Sequence, residues 1–68
     1  IHYDIRNLVE QLPDDQRTVL KMRIYNDMSF KEISENTSVS INTALGRMRY
    51  ALINLRKLIK EHNIVLTN

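Results

Sequence analysis

A chain of 68 residues makes one small domain, which buries only roughly 60% of its unfolded surface and has no room for a deep cleft between two lobes. With no cysteine there is neither a disulfide framework nor a thiolate metal site, so packed elements have to supply the stability, and a cytosolic setting is expected. The net charge is a modest +2, and one glycine, one proline and few aromatics fit helices joined by short turns better than a sheet of hairpins.

The first predicted element runs from Asp4 to Leu12. Its apolar positions Ile5, Leu8, Val9 and Leu12 follow the i, i+3, i+4, i+7 spacing of a helix with one buried stripe. Leu12-Pro13 ends it, because proline disfavours helical geometry in the residue before it. Proline is at home in a first helical turn, and Asp14 and Asp15 follow where the helix dipole favours negative charge. A second helix is therefore expected from Pro13 to about Tyr25, with Val19, Leu20, Ile24 and Met22 turned inward and Tyr25 half-buried.

Asn26-Asp27-Met28 reads as a turn, and Ser29 followed three residues later by Glu32 is the capping-box pattern. A short third helix follows to about Asn36, burying Phe30 and Ile33. Thr37-Ser38-Val39 makes a turn, and Ser40 caps a long final helix that continues to about Glu61. At 100° per residue Ile41, Ala44, Leu45, Met48, Leu52, Leu55 and Ile59 form one stripe, expected to be buried. On that reading, truncating Leu52 opens a core cavity. Ile53 and Leu58 lie off the stripe, His62-Asn63 is the expected helix stop, and Ile64-Val65-Leu66 is an apolar tail that either folds back or is covered by something else. The chain begins at Ile1 without methionine, as expected of a piece of a longer protein.

A short helix, a tight turn and a capped helix with a polar leading face form the plan of a helix-turn-helix. The charge is divided in keeping with that plan. Residues 1–46 carry five Lys/Arg against seven Asp/Glu, a net −2, whereas residues 47–68 carry five against one, a net +4. A segregated basic helix is the footprint of a nucleic-acid binder. Opposite the apolar stripe, the final helix presents Asn42, Thr43, Gly46, Arg47 and Tyr50. Asparagine pairs with an adenine edge, threonine meets a base, a phosphate or a thymine methyl, and arginine reaches guanine or phosphate. Gly46 inside a helix is unfavourable by roughly 1 kcal/mol relative to alanine, which points to a backbone that must come close to a partner. Arg49, on the flank, is matched to a phosphate, while Arg56, Lys57 and Lys60 add long-range attraction.

No catalytic constellation is present. His2 and His62 stand alone near the ends, and no spaced His/Asp/Glu set would build a metal site. Asp14 and Asp15 point in different directions on a first helical turn, and no glycine-rich loop is available to cradle phosphate. Met22, Met28 and Met48 read as core filling. No cofactor is implied. No apolar run approaches the roughly 20 residues of a membrane span, and no signal peptide is seen.

The chain resembles the C-terminal region four domain of bacterial RNA polymerase sigma factors, in particular the extracytoplasmic-function group. The carriers are Leu12-Pro13 with Arg17, Val19 and Leu20, then Met28-Ser29-Phe30-Lys31-Glu32-Ile33, then Val39-Ser40 and Thr43, and finally Arg47-Met48-Arg49-Tyr50-Ala51 through Leu55-Arg56. The resemblance implies an all-α, four-helix domain whose long last helix binds double-stranded promoter DNA at the minus-thirty-five element. It also implies docking on the flap of the polymerase beta subunit and masking by an anti-sigma protein. The DNA-facing positions would be Ser40, Asn42, Thr43, Gly46, Arg47, Arg49 and Tyr50. Three positions depart from the pattern: Ser38 stands where glycine is usual, Thr37 where an aliphatic residue is, and Leu45 where a basic one is. Two alternatives stay open at this point. One is the helix-turn-helix output domain of a two-component or quorum-sensing regulator, which usually begins LT-x-R-E where this chain has LPDDQR. The other is a protein-interaction bundle using Ile53, Leu58 and Ile64 to Leu66.

Overall fold

Residues 4–62 are described by the computed structural model, in which four helices follow one another: α1 (Ile5–Val9), α2 (Asp14–Ile24), α3 (Phe30–Thr37) and α4 (Ile41–Glu61). This is the expected all-α architecture. His2, Asn63 and the Ile64 to Leu66 tail lie outside the described residues. The last helix packs against each of the other three, most extensively against α2, and α2 also meets α3.

The corner after α1 is closed by side chains that the Leu-Pro dipeptide brings together. Asp4 caps α1 by accepting a hydrogen bond from the Asn7 amide at 3.1 Å, and the helix gives way to a turn through Leu12, whose side chain is buried. Arg17 then reaches back from α2 and donates to the Glu10 carbonyl at 3.1 Å while pairing with Asp14. Lys21 bonds the Glu10 carboxylate. That hydrogen bond from Lys21, opposed by slight desolvation and aided by the charges of Lys21 and Arg17, holds the Glu10 carboxyl below its ordinary pKa. The arginine four residues after the proline is thus the latch of the corner.

Between α2 and α3 the latch is Arg23. Its guanidinium donates to the Met28 carbonyl at 2.8 Å and lies 5.0 Å from the centre of the Phe30 ring, within the range of a cation–π attraction. The capping box forms as expected: the Glu32 amide donates to Ser29 Oγ and the Ser29 amide to Glu32 Oε1, both at 3.1 Å. Those contacts, the Ser29 backbone N–H foremost and its hydroxyl next, lower the Glu32 pKa.

The turn between α3 and α4 is made by a serine in the left-handed conformation, Ser38 at φ 57° and ψ 39°. Its amide and that of Val39 both bond the Ser34 carbonyl, which satisfies the end of α3 in the manner of a C-terminal cap. Thr37 Oγ1 donates to the Ile33 carbonyl at 2.7 Å, so the polar side chain at the departing aliphatic position is satisfied locally. A side chain in this region of backbone space is strained by roughly 1–2 kcal/mol, a penalty glycine does not carry. Ser38→Gly is therefore expected to raise stability by about 1 kcal/mol, read from the midpoint of a urea melt; a lowered midpoint would contradict this account of the turn.

The core is built from Leu8, Val9, Leu12, Val19, Leu20, Ile33, Ala44, Met48, Ala51 and Leu55, with Met22, Met28, Phe30, Val39, Leu58 and Ile59 packed around it. Three sequence expectations are corrected here. Ile5, expected on the buried stripe of the first helix, is exposed, and that helix ends at Val9 rather than Leu12. Ile24 and Tyr25, expected to be inward or half-buried, are exposed at the end of α2. The buried line of α4 runs through Ala44, Met48, Ala51 and Leu55, and leaves Ile41, Leu45 and Leu52 exposed at 45%, 43% and 39%. The reason is geometric: Ala44 and Ala51 have side chains small enough for neighbouring backbones to come close, so the contact line passes over them. The larger aliphatics then fall to one side of it. Leu52 is accordingly not the core residue that its spacing implied.

Candidate nucleic-acid interface

The leading end of α4 is fixed by its cap. Ser40 Oγ accepts a hydrogen bond from the Thr43 amide at 3.0 Å and donates to Thr43 Oγ1 at 2.9 Å. Both residues remain exposed, but their hydroxyls are already engaged with one another, which gives Ser40 and Thr43 a structural role at the helix start.

Past that cap, Gly46 lies four positions after Asn42, three before Arg49 and four before Tyr50, the intervals that place side chains on one helix face. Asn42 and Arg49 are exposed and Tyr50 is 60% exposed. A Cβ built on Gly46 would meet nothing within 4 Å. Close helix–helix packing therefore does not account for the glycine, which stands in open space in the middle of the polar group. Gly46→Ala is expected to raise stability by about 0.5–1 kcal/mol through helix propensity while weakening DNA binding. A melt and a fluorescence-anisotropy titration read the two effects separately, and a variant that is stabilised yet binds DNA as the parent does would remove Gly46 from the interface.

Arg47 is placed differently from the other predicted positions. Its side chain is 30% exposed and sits on the flank facing α2, with Nε 3.7 Å from Asp15 Oδ2. Two turns further along, Asn54 donates to Gln16 Oε1 at 2.7 Å. The first turn of α2 and the middle of α4 are thus joined by two polar contacts. Sequence reasoning assigned Asp15 to the helix dipole and did not find this cross-helix partner, because nothing in local spacing relates positions 15 and 47. Among the described residues Arg49, Arg56, Lys57 and Lys60 make no ion pair within the protein, so their charges are available to an anionic partner.

Among the described residues no set of three or more His, Cys, Asp or Glu could hold a metal ion, and no helix is long and apolar enough to cross a membrane. No buried side-chain polar atom among the described residues lacks a hydrogen bond.

A helix-turn-helix with a capped second helix, a polar leading face and unpaired cations along it is a DNA-binding domain in its architecture. Comparison with protein-family models matches residues 2–52 to Sigma-70, region 4, three quarters of the chain. The protein belongs to the sigma-70 region 4 family. With that membership comes promoter DNA binding of the sigma-factor type in general and interaction with RNA polymerase; the family is a DNA-binding regulatory one and not a catalytic one. No curated protein matches the chain.

Proposed function

We propose that residues 1–68 form one domain of an extracytoplasmic-function sigma factor and bind the minus-thirty-five promoter element through the first three turns of α4. The observation that carries this reading is the shared exposure of Asn42, Arg49 and Tyr50 on the helix that follows the Ser38 turn, with Gly46 between them where an added Cβ would meet nothing. Asn42 and Tyr50 supply hydrogen-bonding groups, Arg49 meets a phosphate, and Gly46 lets the backbone approach. Ser40 and Thr43 hold the helix start against the duplex. Arg47 turns one edge of its guanidinium to Asp15 and keeps the other for DNA. Docking on the beta flap of the polymerase and masking by an anti-sigma protein belong to the same reading. Ile24, Tyr25 and Ile53 are apolar side chains left uncovered by the domain itself and supply surface for such protein contacts.

Arg47→Ala tests the assignment. Loss of a guanidinium that reads a base or phosphate is expected to weaken promoter binding by about 5- to 150-fold, measured by anisotropy with a minus-thirty-five duplex. The fold should hardly change, because a half-exposed ion pair such as Arg47–Asp15 contributes roughly 0–1 kcal/mol. Unchanged binding would confine Arg47 to its contact with α2 and remove it from the reading face.

A further inference from the structure

Leu45 is the one predicted core residue that the structure moves into the middle of the candidate interface. It lies three positions after Asn42 and four before Arg49, so the three side chains form a ridge along α4. It is 43% exposed and no part of the core. A single exposed leucine needs no explanation. Here, however, it is one of a strip, with Ile41 one turn before it and Leu52 two turns after it, both exposed. The strip is bordered by Arg49 and Arg56, which have no partner among the described residues. An apolar ridge edged with free guanidinium groups suits a surface that is anionic and yet carries methyl groups. The major groove of DNA is such a surface, because each thymine displays its C5 methyl between base edges and phosphates.

We infer that Leu45 is a specificity-determining residue that packs on a thymine methyl in the major groove while Asn42 and Arg49 engage its neighbours. The inference rests on the DNA-binding reading above and deepens it. Ile41 is too near the helix cap, and Leu52 too far along the rod, to share that ridge with both polar groups, which is why the methyl contact falls to Leu45.

The test changes the DNA before the protein. Duplexes recovered from a random-sequence library by binding to the chain would be resynthesised with deoxyuridine at each thymine in turn, which removes one methyl and no charge. At one or two positions the substitution is expected to weaken binding about fourfold, the factor that burial of one methyl group supplies. The ratio should be the same at two salt concentrations. Leu45→Ala, with an unchanged melting curve, should bind the thymine and uracil duplexes alike. If every uracil duplex binds as its parent does, or if Leu45→Ala keeps the full thymine preference, the inference is overturned and this strip is left to a protein partner. If the library yields no enriched sequence, the promoter reading itself falls, and the methyl contact falls with it.

Discussion

Ile33→Ala is expected to leave most of the chain unfolded at 25 °C. Ile33 has no solvent-exposed surface and is the only large aliphatic that α3 buries. Truncating such a side chain removes its transfer free energy and leaves a cavity, a loss of about 2–5 kcal/mol. A domain under about 70 residues without disulfide or metal rarely has more than roughly 3–5 kcal/mol in total. The helical circular dichroism signal should therefore collapse without denaturant, or its urea midpoint should fall close to zero. Leu52→Ala is the control: at 39% exposure its loss should amount to about 1 kcal/mol or less. If the two variants melt together, the buried line of α4 and the place of α3 in the core are both misassigned.

The second large effect is expected in DNA binding. If Arg49, Arg56, Lys57 and Lys60 neutralise about three to four phosphates, raising salt from about 50 to about 200 mM should weaken a duplex complex roughly 40- to 150-fold, since each neutralised phosphate releases counterions. Arg49→Ala should lower the slope of that dependence by about one and weaken all sequences alike. Asn42→Ala should instead relax discrimination at one base pair and leave the slope as it was. Affinity that hardly responds to salt would mean an apolar docking surface, and the basic half of α4 would then be no more than a solvated face.

Much of this was legible in the sequence, because it depends on local chemistry. The Ser29–Glu32 capping box and the Ser40 cap are short-range hydrogen-bonding patterns that marked the starts of α3 and α4, and the Leu-Pro corner is a local steric signal that marked the start of α2 but placed the end of α1 at Leu12, three residues past Val9. The polar face of α4 was legible for the same reason, since periodicity along one helix is visible in its own residues. What periodicity could not supply was which sector of a 21-residue helix three shorter helices would cover. Ala51 carried that information, but a lone alanine gives a weak signal against Leu52 beside it. The contacts of Arg47 with Asp15 and of Arg23 with Met28 and Phe30 were hidden because each depends on how two helices meet.

Helix α4 is one unbroken rod of 21 residues, about 31 Å long at the usual rise, while the helices that brace it have 5, 11 and 8. Its two ends cannot pivot separately. A protein that grasps the last two turns, where Lys57, Lys60 and Glu61 reach into water, takes hold of a lever whose other arm carries the residues proposed to face DNA. Attachment of a partner at that distant end would set the angle at which Asn42 and Tyr50 meet a duplex, with no change in the packing inside the domain.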